Sequence, residues 1–454
     1  MSKSSSSLIA ASFLAITFVL TYGPAPFLFT PNARSEAATV SSPPLLGFQW
    51  SMRERFGDKD ADDLVEYHWN TNTQIYEPGY INPASWTVDF DSCTSVQPQS
   101  SLSWEVDGQL IPETRCRFSH VFPTLKTYVV KLTATSPGGP PNTAEASVTL
   151  KDLFIVSLGD SFASGEGNPD KPRHGLRKAK WIDERCHRSA FAGPAQAAMN
   201  IEKADPHTSV TFISFACSGA ELSAGLTSGQ QKGSRLLRPQ LDKMFEAAAR
   251  RPIDALLVSI GGNDANFATL VLKAIQLRHA ETDTGTNRLA NDGLASLPVR
   301  FAAIAERLNR PTNQTAIANV FITEYPDLVR DETRDFCDHS PGVPDLLHGI
   351  SEAESTWALM QVIKPLNAAV KTAATINGWN YVDGIFTRFG GESPDHIAHG
   401  FCAGNQRWAR TFNDSFIVQG DQKGTVHPNF EGHVWYAQRL VDELRSKGVI
   451  APGN

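Results

Sequence analysis

The sequence predicts an α/β protein: a three-layer α/β/α sheet of about five mostly parallel strands, preceded by an all-β sandwich. Three observations predict it. The chain has 454 residues, more than one ordinary compact domain holds. Between Trp86 and Leu150, apolar and polar residues alternate in short runs separated by Pro, Gly, Ser and Asn, the period of half-buried strands. After Lys151, apolar runs alternate instead with stretches of helical period, as in a sheet whose strands are joined by crossover helices. The expected organisation is a leader at 1–37, an acidic loop plus the sandwich at 38–150, and the α/β domain at 151–454.

Taken from the N-terminus, Lys3 precedes an apolar stretch, Leu8 to Leu20, and then Ser35-Glu36-Ala37, a small-x-small pattern. That is the layout of an export signal. Left uncleaved, the uncharged stretch from Leu8 to Phe29 would instead anchor the chain in a membrane, although Pro24 and Pro26 interrupt a helix there. With 41 basic against 48 acidic residues, a formal net charge of -7 and no Lys/Arg cluster, nucleic acid is not an expected partner.

In "FGDKDADDLVEYHW", Asp58, Asp60, Asp62 and Glu66 stand at relative positions 1, 3, 5 and 9. That alternation can turn carboxylates toward one calcium ion. The stretch resembles a DxDxDG calcium loop, but Asp63 stands where the turn glycine belongs and no Glu follows at position 12, so a solvated acidic loop is the competing reading. Structural calcium is the one cofactor expected, and none is expected for catalysis.

The strands of the sandwich are "WTVDF", "SLSWEV", "TYVVKLTAT" and "AEASVTL". "SLSWEVDGQ" followed by "CRFSHVFPTLKTYVVKLTATSPGG" resembles the polycystic-kidney-disease (PKD) type of immunoglobulin-like domain. Such modules space, present or bind, which makes cell-surface or polysaccharide contact one expectation and plain packing on the neighbouring domain the other. In the α/β region the expected strands are Phe154–Leu158, Val210–Phe215, Ala255–Ile260, Val320–Ile322 and Tyr381–Val382. The expected helices are Ala190–Met199, Pro239–Ala249, Asn266–Leu277, Val299–Leu308, Glu354–Ile376 and Phe430–Lys447. Long loops are expected at Lys171–Arg185, Glu281–Ser296, Glu324–His348 and Phe386–Gln422, with Trp181, Phe389, Phe401, Trp408 and Phe412 free either to line an acyl pocket or to pack. The six cysteines sort by region into 93 with 116, 186 with 217 and 337 with 402, and an even count in an exported chain implies disulfides.

In parallel α/β sheets, ligands bind where strands end. Strand one ends at Gly159-Asp160-Ser161, strand two at Cys217-Ser218-Gly219, strand three at "SIGGNDANF", and "GTVHPNFEGH" precedes the last helix. In that order these blocks resemble the SGNH hydrolases, also called the GDSL esterase/lipase family, over 154–444. Together with "CHRS", "ACSGA" and "HGFCA" they resemble its secreted, disulfide-bearing branch. The resemblance implies that Ser161 is the nucleophile and His427 its base, and that the N–H groups of Ser161 and Gly219 with the Asn263 amide form the oxyanion hole.

The chemistry requires such a set under any name. A serine hydroxyl needs a base to attack at neutral pH, and the oxyanion it creates needs donors fixed in advance. Ala163 rules out a Gly-x-Ser-x-Gly elbow. His427, Glu431 and His433 do not have the spacing of a His-Glu-x-x-His helix, which leaves His433 an ordinary residue of the last helix. One position departs from the family: the Asp usually found three residues before the histidine is Gly424 here. The imidazole is then oriented by the Gly424 carbonyl, by Asp421, or by a carboxylate from elsewhere. The expected function is a secreted serine esterase or lipase acting on carboxylic esters. A carbohydrate-ester deacetylase, an acyltransferase using the same site, and a non-enzymatic adhesion protein using the sandwich are the alternatives.

Overall fold

The run Lys151–Gly159 is buried at every position after its first, as a strand covered on both faces must be. It is the centre of a five-stranded sheet. In order across the sheet the strands are Thr208–Ser214, Lys151–Gly159, Ala255–Ser259, Val320–Thr323 and Asn380–Val382, and every pairing is parallel. The order reverses beside the first strand, which pairs with Thr208–Ser214 on one side and Ala255–Ser259 on the other. In open parallel sheets it is at such a point, beyond the carboxyl ends of the strands, that ligands bind.

Strand alternation assigns the first strand's side chains to two cores. Phe154, Val156 and Leu158 pack with Leu241, Met244, Phe301, Ile304 and Leu366, from the helices Gln240–Ala248, Thr284–Leu308 and Lys364–Asn377. Leu153 and Ile155 pack with Ala195, Ile201, Leu440 and Leu444, from Gly193–Ala204 and Phe430–Ser446. The sheet is therefore flanked by helices on both faces, as expected.

The computed structural model describes residues 45–56, 68–276, 279–338, 350–392 and 394–451. The chain divides into two units, 1–43 and 44–454. The first holds the expected leader and lies outside the described residues, as do Asp58, Asp60, Asp62 and Glu66 of the acidic loop. Among the described residues no helix is long and apolar enough to cross a membrane.

Within the second unit, two antiparallel sheets precede the parallel one, one of Gln49–Met52, Trp86–Asp91 and Arg117–Phe122, the other of Gln109–Ile111, Ser101–Val106, Thr127–Thr135 and Pro141–Thr149, besides a two-stranded pair of Trp69–Asn70 with Ile75–Tyr76. Their inner faces meet around Trp104, Phe90, Phe122, Val130, Leu132 and Val148. Asp152, on the first parallel strand, ties the sandwich to the sheet: its carboxylate accepts from Arg55 Nη1 at 2.8 Å, Trp86 Nε1 at 2.9 Å and Thr211 Oγ1 at 3.0 Å.

The disulfides join Cys93 to Cys116, Cys186 to Cys217 and Cys337 to Cys402, the three pairings expected. Two helices differ from expectation. The segment Glu281–Ser296, expected as a loop, is helical from Thr284, and the helix expected to begin at Val299 runs back to that residue through Pro298. Asp283 starts it by accepting from the Thr286 N–H at 2.7 Å, and an N-cap of this kind can outweigh a weak periodic signal. The helix expected at Glu354–Ile376 contains a π-helical turn, Ala358–Ile363, just before Pro365. Proline lacks the N–H that would continue the regular ladder, and the wider turn absorbs the gap. The expected loop Phe386–Gln422 likewise contains short helices, Ile385–Phe389 and Phe412–Gln419.

Candidate active site

The first strand leaves the sheet through a position only glycine can fill. Gly159 has φ +141°, and a Cβ built there would lie 2.1 Å from the Ser259 carbonyl oxygen. Its N–H donates to Gln240 Oε1 at 2.8 Å and its carbonyl accepts from Gln240 Nε2 at 2.9 Å. Asp160 then caps the four-residue helix Ser161–Ser164, its carboxylate accepting from the Phe162 N–H at 2.9 Å. The other carboxylate oxygen accepts from the Tyr325 hydroxyl at 2.6 Å, and that hydroxyl accepts from the Gly262 N–H at 2.8 Å. Tyr325 thus links the Gly-Asp-Ser block to the Gly-Gly-Asn-Asp block. Burial pushes the Asp160 carboxyl up to about 7.

This turn presents Ser161 to His427, 266 residues further along the chain, with Ser161 Oγ 2.7 Å from His427 Nε2. The other ring nitrogen, Nδ1, lies 3.0 Å from the Thr425 carbonyl oxygen. A carbonyl can only accept, so Nδ1 carries the proton and Nε2 presents a lone pair to the serine hydroxyl. An unprotonated imidazole nitrogen at hydrogen-bond distance from a serine can take its proton. Burial pushes the His427 pKa below the ordinary imidazole value, against the opposing charge of Glu166 and the Thr425 hydrogen bond.

The acceptor is a main-chain carbonyl, but it is not that of Gly424. The Gly424 carbonyl instead accepts the backbone N–H of His427 at 3.0 Å. Val426, between them, has φ +61°, a conformation that a β-branched residue adopts only under tertiary constraint. Its N–H donates to the Arg410 carbonyl at 2.9 Å, and the Arg410 N–H donates to the His427 carbonyl at 2.8 Å. Asp421 is turned elsewhere, its carboxylate accepting from Gln419 Nε2 at 2.6 Å and the Lys423 N–H at 3.0 Å. The glycine at 424 has a steric reason: a Cβ there would stand 2.9 Å from Gln419 Oε1, Gly167 Cα and Ser415 Oγ. An aspartate at that position has no room.

The three expected oxyanion groups sit on neighbouring strand ends. The backbone N–H groups of Ser161 and Gly219 donate to no acceptor among the described residues. Gly219 has φ +76°. The Asn263 amide donates to the Ala220 carbonyl at 2.9 Å, which leaves its second hydrogen free to point elsewhere.

Sequence reasoning passed over Glu166, five residues after the serine in the same stretch. It is fully buried, its carboxylate 2.7 and 2.8 Å from His187 Nδ1, and it accepts from Gln419 Nε2 at 2.7 Å. Although burial alone would raise it, the hydrogen bond and charge of His187 hold the carboxyl down at about 2. A buried acidic residue within a small-residue loop was the available signal, since Glu is almost never buried unless paired.

Of the five aromatic residues weighed for an acyl pocket, Phe401 lines an apolar cavity together with Phe267, Leu328, Val329, Cys337 and Val426, and neither Ser161 nor His427 lines it. Trp181 stacks on His187, Trp408 stacks on His399, and Phe389 is fully buried in the core. His433 sits inside the last helix, fully buried, where Nδ1 accepts from the Gly193 N–H at 3.2 Å and burial pushes its pKa down to about 3. Among the described residues no three His, Cys, Asp or Glu side chains gather as metal ligands would.

Comparison with known proteins adds a family. The family model described as the GDSL-like Lipase/Acylhydrolase family matches residues 157–435. Among solved structures, the crystal structure of phospholipase A1 from Streptomyces albidoflavus NA297 aligns at 22% identity and a TM-score of 0.42, over 65% of this chain and 99% of that one. A carbohydrate esterase, whose active site is described as displaying divergent catalytic and non-catalytic binding functions, aligns at 14% identity and a TM-score of 0.29, over 89% of this chain and 99% of that one. No curated protein matches.

Proposed function

The chain belongs to the GDSL-like lipase/acylhydrolase family, which matches more than half of its length, and on that premise we propose that it is an exported serine esterase that hydrolyses carboxylic esters through an acyl-enzyme. The observation that carries this reading is the pair of contacts on one imidazole: Ser161 Oγ at 2.7 Å from Nε2 and the Thr425 carbonyl at 3.0 Å from Nδ1.

In the first half-reaction the Ser161 Oγ–H proton passes to His427 Nε2 as Oγ bonds to the ester carbonyl carbon. The carbonyl electrons move onto oxygen, where the N–H groups of Ser161 and Gly219 and the Asn263 amide receive the charge. Collapse of the intermediate breaks the bond to the alcohol oxygen, which takes the proton back from Nε2. Water then repeats the sequence on the acyl-enzyme, releasing the acid and regenerating the Ser161 hydroxyl. Throughout, the Thr425 carbonyl holds the ring and its tautomer, though it stabilises the imidazolium less than a carboxylate would.

Export is supported by three disulfides, which persist in oxidising compartments. Cleavage after the leader, the PKD-type character of the sandwich with any surface contact it makes, and calcium at Asp58, Asp60, Asp62 and Glu66 complete the proposal on sequence grounds.

The testing assay is turnover of a p-nitrophenyl ester series, from acetyl to long-chain acyl, by the mature protein. Ester hydrolysis is expected, with the chain-length optimum reporting the acyl class, and turnover no greater than background at every length would overturn the reading. The pH profile is a second check. The base works only as the neutral imidazole, so kcat/KM falls as pH drops through its pKa. Because that pKa is lowered, the acid limb is expected below the ordinary imidazole value of about 6.5. A limb at or above that value would contradict the buried, neutral His427.

A further inference from the structure

Two side chains of a small hairpin converge on the back of one peptide unit of the site. The hairpin pairs Gln230–Lys232 with Arg235–Leu237 in antiparallel register. Gln230 is buried, and its Nε2 donates to the Ser218 carbonyl oxygen at 2.9 Å. Lys232 Nζ donates to the same oxygen at 2.8 Å. A carbonyl oxygen has two lone pairs, so both are engaged. The other end of that peptide unit is the Gly219 N–H, which meets no acceptor among the described residues.

We propose that Lys232 and Gln230 are positioning residues that orient and polarise the Ser218–Gly219 peptide so that its N–H donates to the substrate oxyanion. The inference rests on the serine-esterase reading above and deepens it. The flanking peptides are already pinned: the Ser218 N–H donates to the Cys186 carbonyl at 3.0 Å, the Ala220 N–H to the Cys217 carbonyl at 3.0 Å, and Cys186 and Cys217 are joined by a disulfide. The Ser218–Gly219 plane itself is held by its carbonyl, because glycine at φ +76° resists rotation weakly. Hydrogen bonds that share a peptide reinforce one another. A donor on the carbonyl draws electron density toward oxygen and makes the N–H a stronger donor, by roughly 10–30% per bond. A cationic donor does this more strongly than a neutral one. Burial, with the nearby Lys423, pushes the Lys232 pKa below the ordinary lysine value, against the buried carboxylates of Glu166 and Asp183.

This arrangement makes a demand that mere scaffolding does not. Lys232 acts when charge develops on the substrate, so its loss falls on kcat and on binding of oxyanion-forming inhibitors, and leaves ground-state binding alone. Losing a direct oxyanion donor costs about 10² to 10³ in rate, and losing a group one bond behind it is expected to cost about tenfold.

The experiment measures Ser161-dependent ester hydrolysis, taken as the rate above that of Ser161→Ala, for wild type, Lys232→Met, Lys232→Arg and Gln230→Leu. Affinity for a trifluoromethyl ketone, which forms a hemiketal oxyanion with the serine, is measured beside affinity for the unreactive methyl ketone. Expected for Lys232→Met are a kcat about tenfold lower, an equal loss of trifluoromethyl ketone affinity, and little change in KM or methyl ketone affinity. Lys232→Arg should recover most of both, and Gln230→Leu should show a smaller loss of the same form. Should Lys232→Met not fold, Lys232→Arg and Gln230→Leu carry the test. Unchanged kcat and ketone affinity in the folded variants, or equal losses for both ketones, overturns this inference while leaving the esterase reading standing. Absence of Ser161-dependent turnover in the wild type overturns both.

Discussion

Replacing Ser161 with Ala is expected to lower kcat/KM for a p-nitrophenyl ester by at least about 10⁴-fold, and His427→Ala by nearly as much, with the double variant little worse than either. The two side chains act as one unit. The serine is a weak nucleophile until Nε2, 2.7 Å away, takes its proton, and Nε2 has nothing to accept once the hydroxyl is gone. Loss of either therefore removes the covalent route, leaving only what binding and the oxyanion donors provide. Asp421→Asn is expected to stay within a few-fold of wild type, since its carboxylate is engaged by Gln419 and Lys423 rather than by the imidazole. Steady-state kinetics with thermal unfolding as the folding control checks all four proteins. A loss in Asp421→Asn as severe as that in His427→Ala, in a protein that stays folded, would reject the main-chain carbonyl as the group that holds His427.

Gly159→Ala is expected to abolish both activity and normal folding. The new Cβ would fall 2.1 Å from the Ser259 carbonyl oxygen, and the backbone at φ +141° is one that L side chains rarely adopt. The neighbour is backbone of an adjacent strand in register with Gly159, fixed by the central pairing of the sheet, so neither partner can yield cheaply. The local Gln240 clamp on both Gly159 backbone groups would be displaced as well. Steric overlap and lost buried hydrogen bonds together place the expected cost above about 4 kcal/mol, the exceptional range for a single substitution. Soluble yield and thermal unfolding measure it. A folded Gly159→Ala protein with a Tm near wild type would show that the strand end is not locked as described.

The central parallel strands were legible because fully buried strands leave continuous apolar runs, while the edge strand Asn380–Val382, buried at one position of three, left only a short one. The disulfide pairs were legible because each joins cysteines of one region, 23, 31 and 65 residues apart. Helix extent was less legible. Thr284–Leu308 contains Pro298 and little apolar periodicity in its first half, and its start depends on the Asp283 cap. The fate of the aromatic residues was not legible at all, since Trp181 and Trp408 found histidine partners through tertiary packing, a pairing that local periodicity does not encode.

By itself, the sequence determined the sheet and its bounding glycines, and it nominated Ser161, Gly219, Asn263 and His427 for the proposed site, the serine, asparagine and histidine because side-chain chemistry is written in the residue type. Only the tertiary structure decided which atom holds His427. Every residue has a carbonyl, so an acceptor of that kind leaves no mark in the sequence. The choice of Thr425 over Gly424 follows the positive φ of Val426, held by Arg410 on either side of it, and the same is true of the Ser218 carbonyl gripped by Gln230 and Lys232. Main-chain groups become specific only when distant segments fix their direction.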